Sequence, residues 1–598
     1  MKYFSGAQTY QILDVEAVSV QAAAADGALK SFTSPQAQEV PSLAADIAII
    51  GGGMGGIAAA LTALTADSGV SVVMTEETSW LGGQMTSQGV SALDENKWVE
   101  STGATLSYLQ LRDKLRESYR QAGGLTPEAA QDPLLHPGRS WVTRLSFEPA
   151  RALAVIDQTL APYIAAGRLT ILTRSQIVDA HCRENNAIEA LLTVNVDSGQ
   201  FTEICPKTVL DATELGDLFP LVKVPYYTGS DSKRLTNESH APEQGDPENV
   251  QDFTYPFVLT LHAGEDHTIE KPDDYETFKD AGKFSLFGFK MFEHYEGFDP
   301  ARPENVKNFL PFWTYRRLID KSLFDGSIYK FDISMINWDA NDLRGYNIID
   351  KIPSVRRDYL SLAKRLSLGF LYWLQTEAPR DEGGQGYPEF KLELKVLGTK
   401  DGLAKFPYIR EARRLAAKTT IVEEDIVIAT NPGVRARSFP DSVGIGHYPV
   451  DIHGRQELEG TAQATRPFQI PYSALVSEHC PNLLACCKNL GVSHITNGSY
   501  RLHPIEWAIG VAGGAAAALA VTKNIDLNKI ADQDATLKKL QTTLIELGAP
   551  LFWLDDIGPK DPQFAEAQLA ILNGRVTLSE ESLSFPSASA LLDHGRSV

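Results

Sequence analysis

The sequence predicts an α/β fold, and three observations predict it. A short apolar strand, a glycine turn and an Ala/Leu-rich helix follow one another from Asp46, and a second β-branched strand closes the unit at Glu76. A further strand and a small β-meander are readable at 168–195. The 598 residues, 43% of them hydrophobic, are enough chain for roughly three domains with large cores.

Composition narrows the function classes. Lys and Arg number 55 against 76 Asp and Glu, and the formal net charge of -21 repels phosphate backbones and anionic membrane surfaces, so no nucleic acid partner is expected. Cys182, Cys205, Cys480, Cys486 and Cys487 are odd in number and lack C-x-x-C spacing, which excludes a disulfide framework and a zinc ribbon. The longest apolar stretch, 507–521, is short and Gly/Ala-rich for a span of ~20 residues, so no membrane span is expected. The Ala-rich patch at 17–28 is preceded by acids and makes a poor secretory signal, and a cytoplasmic location is the resulting expectation.

Residues 1–44 read as an arm ending in a Ser/Pro/Gln-rich linker. The first chemistry-bearing motif follows. Gly51, Gly53 and Gly56 form G-x-G-x-x-G directly after a strand and at the opening of a helix, the context that makes the motif specific. The first glycine permits the tight turn, the second lets backbone approach a pyrophosphate, and the third allows close helix–strand packing. The helix N-terminus offers free N–H groups to the anion. Glu76, twenty residues beyond Gly56, stands where its carboxylate can accept from both ribose hydroxyls of an adenosine. Together these features define a Rossmann-like dinucleotide-binding unit.

The next segment, SWLGGQMTSQGVSALDE at 79–95, resembles the large FAD-dependent oxidoreductase superfamily related to glutathione reductase. The resemblance implies FAD as cofactor, with Gly82, Gly83 and Gln84 continuing its site and Thr86 and Ser87 near the isoalloxazine. It implies that Ile177 contacts the adenine end through backbone atoms, and that Asp211–Asp217 is the turn closing the FAD domain, with Glu214-Leu215 replacing the simplest form of that turn. The segment 481–521 resembles the family's last contribution to FAD, a strand and a helix starting near Pro504. A helix N-terminus at the flavin N1–C2=O2 edge stabilises the charge that develops on reduction. Within the superfamily, 408–414 and 498–501 are similar to xanthan-lyase-like and heterodisulfide-reductase-like flavoproteins, over about 46–522. Heterodisulfide chemistry is not implied, because the cysteine spacing for iron–sulfur clusters is missing.

The architecture implied is a Rossmann-like FAD-binding domain of glutathione reductase type, with a large α+β substrate-domain insert and a small helical C-terminal extension. Its parts are an arm and linker at 1–44, FAD-binding domain at 45–225 and 466–523, an insert at 226–465 and the extension at 524–598. The extension resembles a single helical unit of S-layer homology modules, where surface anchoring needs several.

The insert is rich in aromatic and cationic residues, most of them expected to be core. Arg410, Arg413 and Arg414 fall at helical spacing around Glu411, which reads either as a salt-bridged helix face or as a grip on a substrate carboxylate by Arg410 or Arg414. Candidate catalytic residues are His494 and Arg501, on the loop that passes the flavin if the last helix points at it, then His447 and Arg410. The function expected is hydride transfer between a small organic substrate and FAD. Two readings stand beside it: a non-catalytic or redox-sensing flavoprotein acting through protein partners, and an NAD enzyme using the first βαβ unit alone. No second strand-linked G-x-G-x-x-G is present for a built-in NAD(P)H domain, and the electron acceptor is open.

Overall fold

In the computed structural model the strand expected from Asp46 spans Ser42–Ile50 and lies inside a seven-stranded sheet. Residues 3–4, 7–21, 27–35, 40–293, 310–454 and 463–586 are described. Part of the Ala-rich patch (22–26), part of the linker (36–39) and the end of the C-terminal extension from 587 lie outside them.

Val72–Thr75 and Phe201–Asp211 flank the Ser42–Ile50 strand in parallel, and Leu169–Leu172 extends the sheet beyond Val72–Thr75. Phe201–Asp211 changes partners along its length. Its first residues pair antiparallel with Ile188–Asn195, which pairs in turn with Ser175–Cys182 to make the meander. Its last residues pair in parallel with Leu483–Ala485, Val209 opposite Leu483 and Asp211 opposite Ala485. Strands covered on both faces read as continuous apolar runs, and Ile47–Ile50 is buried throughout.

Two helices fix the orientation of everything at the C-terminal ends of these strands. Met54–Ala66 and His503–Lys523 run parallel, Gly55 facing Gly510 and, one turn on, Ala59 facing Gly514. A Cβ at Gly510 would strike the Gly55 carbonyl, and one at Gly514 the Ala59 carbonyl. Because the two helices are parallel and in contact from their first turns, their N-termini open at the same end of the sheet. His503–Lys523 is, among the described residues, the one helix long and apolar enough to cross a membrane by length and composition, and it lies mostly buried within the protein.

Between the two halves of this sheet the chain builds a second, antiparallel one, in the order Arg317–Ile319, Ile333–Ile336, Phe257–Leu261, Phe390–Leu392. The 24-residue helix Pro353–Thr376 covers it, burying Leu360, Phe370 and Leu374 in a core shared with Phe257 and Leu259. The segment 408–413 is not a helix. Helical spacing there is a coincidence of composition, and each arginine instead reaches its own acid.

The expected N-terminal arm contains a β-hairpin, Thr9–Leu13 paired with Leu29–Thr33. It buries Ile12 against Leu192, Val194 and Phe201 of the meander, and Leu13, Val15 and Val18 against the core of the second sheet. Buried Asp14 takes Lys30 at 2.8 Å and Arg174 at 2.6 Å, tying the hairpin to the turn before the meander. After His503–Lys523 the chain continues into the helices Asp534–Glu546 and Phe564–Leu572.

The helix pair yields a direct prediction. Gly510→Val places a branched side chain against the Gly55 carbonyl and is expected to cost about 3 kcal/mol in chemical denaturation. Denaturation at the wild-type midpoint would contradict the close helix contact.

Candidate functional site

The first cavity, of about 300 Å³, opens at the strand ends beside the N-terminus of Met54–Ala66. Gly51 sits at φ 106°, where a Cβ would also collide with the Ala212 carbonyl, so the turn leaving the first strand requires glycine. Gly53 is the N-cap of Met54–Ala66 and supplies no side chain, leaving the first N–H groups of the helix free for an anion. Glu506, in the first turn of His503–Lys523, comes within 3.7 Å of the position a Cβ on Gly53 would occupy. The N-cap of that second helix, Leu502, likewise provides no side-chain cap.

Of the residues singled out for a cofactor, Gly51, Gly53, Glu76, Gly83 and Ile177 line this cavity. Glu76 is buried at the end of its strand; Oε2 accepts from the Gly52 N–H at 2.9 Å, and Oε1 from the Thr78 N–H at 2.9 Å and hydroxyl at 2.7 Å. Burial pushes its pKa up to about 7 against those hydrogen bonds. Gly56, Gly82, Gln84, Asp211 and Pro504 stand behind the wall. Gly56 lies against the Gly51 carbonyl and lets helix meet strand, and Gly82 at φ 114° shapes the second glycine turn. Asp211 organises the turn after its strand, accepting from the Thr213 N–H and hydroxyl and from the Leu218 N–H at 3.1 Å. Pro504 occupies the first turn of the last helix. Gln84 donates to the Arg501 carbonyl at 2.9 Å and to Glu506.

Thr213 and Glu214, from the turn expected to close the FAD domain, also line the wall, and among the residues that sequence reasoning missed are Gln88 and Arg356. Gln88 lies inside a segment whose neighbours were chosen, whereas Arg356 comes from the helix Pro353–Thr376 and carries no local signal. Polar atoms wait for a partner here: Gln88 Nε2, Glu214 Oε1 and Arg356 Nε of wall residues, and Gln84 Oε1 behind the wall, are buried without one. An uncapped helix N-terminus, a ribose-side carboxylate and unpaired amide atoms near the glycine turns fit the diphosphate, ribose and ring of FAD. Glu214 is held by Lys488, whose ammonium also lies 3.7 Å from Glu506.

A second cavity of about 270 Å³ is lined by Arg501, whose carbonyl accepts from Gln84. Three arginines meet in it. Arg316 pairs with Asp94 at 3.0 Å, Arg410 with Asp342 at 3.0 Å, and Arg501 with Asp451 at 3.2 Å and the Tyr408 hydroxyl at 2.8 Å. The Nε of each is buried and unpartnered. Tyr315, Trp338, Tyr408 and Tyr448 supply the aromatic walls. His453 completes the set, Nδ1 lying 2.7 Å from Asp342 and Nε2 3.3 Å from Asp451. Burial and Arg410 oppose its charge, but Asp451 and Asp342 outweigh them and raise its pKa.

Arg410 and Arg501 are therefore brought together, while the two chosen histidines are placed elsewhere. His494 Nδ1 donates to the Glu411 carboxylate at 2.8 Å, inside a buried network in which Arg414 also holds Asp231 at 2.6 Å and Glu411 at 3.1 Å. This network consumes Arg414, so Arg414 has no grip left for a substrate. His447 packs against Trp98 and Trp553, with ring centroids at 5.2 and 6.3 Å, and burial pushes its pKa down to about 4. His503 is neutral by its bonds, accepting from the Asp94 N–H at 3.1 Å and donating to the Val90 carbonyl at 3.1 Å. His453 was passed over for His447 in the same segment.

The buried acids make the FAD-free protein sensitive to pH. Burial raises Glu76, Asp211, Glu238 and Asp252 each to about 7. The folded state keeps these protons while the unfolded chain sheds them, so their stabilisation is complete below about pH 4 and lost by about pH 7. His447 and His503, both pushed down to about 4, act in the opposite sense over nearly the same window but are fewer. The melting temperature of the FAD-free protein is expected to fall by several degrees as pH rises from about 5 to about 7.5, and a rise over that range would contradict the assignment.

A family model described as FAD dependent oxidoreductase matches residues 46–544. No curated protein matches the chain. Solved structures resemble parts of it. The glycerol-3-phosphate dehydrogenase from Bacillus halodurans complexed with FAD matches at 12% identity and TM-score 0.21, over 38% of this chain and 40% of that one. The p-nitrophenol 4-monooxygenase PnpA from Pseudomonas putida DLL-E4 matches at 13% identity and TM-score 0.22, over 37% and 48%. The L-proline dehydrogenase from P. horikoshii matches at 17% identity and TM-score 0.16, over 30% and 24%. The match spans less than half the length of each of these three, and no argument is taken from them. The family model covers most of the chain, including both glycine turns and the last helix, and the chain belongs to the FAD-dependent oxidoreductase family, with FAD as its cofactor.

Proposed function

We propose that the protein transfers a hydride between FAD and a small carboxylate-bearing substrate, in an architecture of the glutathione reductase type whose substrate domain is residues 226–465. The observation that carries this reading is the gathering of Arg316, Arg410, Arg501 and His453 around one aromatic-walled cavity. Gln84, beside the second glycine turn, is bonded through its amide to the main chain of Arg501.

FAD, when bound, supplies the two-electron carrier. The Gly51–Gly53 turn and the Met54–Ala66 N-terminus hold the diphosphate, and Glu76 accepts from the ribose hydroxyls. The N-terminus of His503–Lys523 favours negative charge beside it. In the second cavity, Arg410 and Arg501 orient a carboxylate, and the aromatic walls exclude water from the carbon that exchanges hydride. His453 would move the proton through Nε2, the nitrogen held less closely at 3.3 Å from Asp451: neutral, it takes the substrate hydroxyl proton as the hydride leaves in the direction of oxidation, and protonated, it returns that proton in the direction of reduction. Asp342 acts as the positioning residue, because it holds Arg410 and His453 at once.

The test is anaerobic reduction of the FAD-loaded protein by a panel of 2-hydroxycarboxylates and their amides. Carboxylates are expected to bleach the flavin and the amides to fail. Arg410→Lys and Arg501→Lys are expected to slow bleaching by roughly 100-fold at unchanged flavin content. His453→Asn is expected to lower the rate and to remove one limb of its pH profile. Amides that work as well as acids, or lysine variants that bleach at the wild-type rate, would overturn the reading.

A further inference from the structure

The second sheet carries a constellation that the flavin chemistry does not use. Its central strand Phe257–Leu261 runs into His262-Ala-Gly-Glu265-Asp-His267. His262 Nδ1 lies 3.6 Å from Glu265 Oε2, and His267 Nε2 lies 2.7 Å from the same oxygen. All three ligand atoms are within 4.8 Å of one another.

The backbone holds this turn from both ends. The His262 N–H donates to the Glu389 carbonyl at 2.9 Å and the His267 N–H to the Pro388 carbonyl at 2.8 Å. Gln375 Nε2 donates to the His267 carbonyl at 2.7 Å. Phe331 stacks on the His262 ring at 3.9 Å, fixing its plane. One side stays open to an ion from solvent: His262 is 8% exposed, His267 25% and Glu265 58%.

The hydrogen bonds set the tautomer of His262. The Thr260 hydroxyl has one proton, and it donates that proton to Glu393 Oε1 at 2.8 Å. Toward His262 Nε2, 3.0 Å away, the same hydroxyl oxygen accepts, so Nε2 carries the ring proton. The Nδ1 lone pair of the neutral ring then faces a carboxylate oxygen at a separation too long for a hydrogen bond. Two electron-rich atoms aimed at one another are relieved by a cation between them. The Glu393–Thr260–His262 chain is also the outer support by which metal-bound imidazoles are oriented.

We propose that His262 Nδ1, Glu265 and His267 Nε2 form a three-ligand site for a divalent cation of the zinc class, with water completing the tetrahedron. Two imidazoles and one carboxylate suit zinc, and a tetrahedral ion would set the three atoms roughly 3.3 Å apart, opening the His267–Glu265 pair from 2.7 Å and closing the His262–Glu265 pair from 3.6 Å. The ion staples the turn between the strand Phe257–Leu261 and the segment 388–393, and raises the melting temperature of the protein as a ligand that binds only the folded chain.

The test is isothermal titration of untagged, FAD-loaded, chelator-stripped protein with zinc chloride, with cobalt(II) absorption as the readout of tetrahedral geometry. Wild type is expected to take up one ion per chain with a dissociation constant in the micromolar range or below. His267→Ala and Glu265→Gln are each expected to weaken uptake by roughly tenfold or more while keeping wild-type flavin content, which reports folding. Should His267→Ala fail to fold, Glu265→Gln, at an exposed side chain, decides alone. No uptake by wild type at about 100 μM zinc, or equal uptake by the variants, would overturn the site.

Discussion

Parallel contact between Met54–Ala66 and His503–Lys523 is the constraint on which the rest depends. Glycine and alanine on both faces bring the backbones together, Gly55 against Gly510 and Ala59 against Gly514. A helix pair in register from the first turn must open both N-termini at one end of the sheet, and the first of them stands in the cavity wall, where a positive helix end makes a place for a diphosphate. The strand Leu483–Ala485 belongs to the same arrangement, since it pairs with the end of Phe201–Asp211 and leads toward the second helix. Residues hundreds of positions apart in the chain are thereby delivered to one cavity.

Around this centre the chain uses charge where regular structure is sparse. The loop segments bearing Arg410, Arg413, Asp231 and Glu411 are held by buried ion pairs rather than by strand or helix ladders, and those pairs reach Arg414 on a short strand and His494 at the start of a helix. Such pairs bring little net stability over well-packed apolar residues, but removing one partner leaves a buried charge uncompensated. They therefore fix geometry more than they add stability. The N-terminal hairpin works similarly, Asp14 joining Arg174 and Lys30 while Glu16 reaches Lys405 at 3.2 Å, so that the meander and the second sheet are tied to one short ribbon.

Legibility in the sequence followed the range of the interactions. The first glycine turn and Glu76 act through local backbone geometry and were announced by their spacing, and the Gly82-Gly83 segment by its resemblance to a known family. Arg410 and Arg501 were readable as cations near the flavin segments, but Arg316 and Asp342 meet them only through the tertiary fold. Helical spacing at 410–414 misled because a periodicity of charges cannot distinguish a solvated helix face from three arginines turned toward three separate acids. His494 drew attention by position, and burial beside Glu411 gave it a structural partner instead. His453 lay two residues beyond Asp451 in a loop, a pattern too short to stand out before the arginines around it were placed.

The central claim is that a flavin held at the first glycine turn reacts with a carboxylate held in the arginine cavity, to which Gln84 is bonded through the main chain of Arg501. The most direct measurement is a crystal structure of the FAD-loaded protein with a bound 2-hydroxycarboxylate. The account predicts the isoalloxazine against Gln84 and Gln88, the N-terminus of His503–Lys523 at its pyrimidine edge, and the carboxylate on Arg410 and Arg501 with its reacting carbon facing the ring. A ring lying away from Gln84, or a carboxylate held outside the Arg316–Arg410–Arg501 cavity, would contradict it.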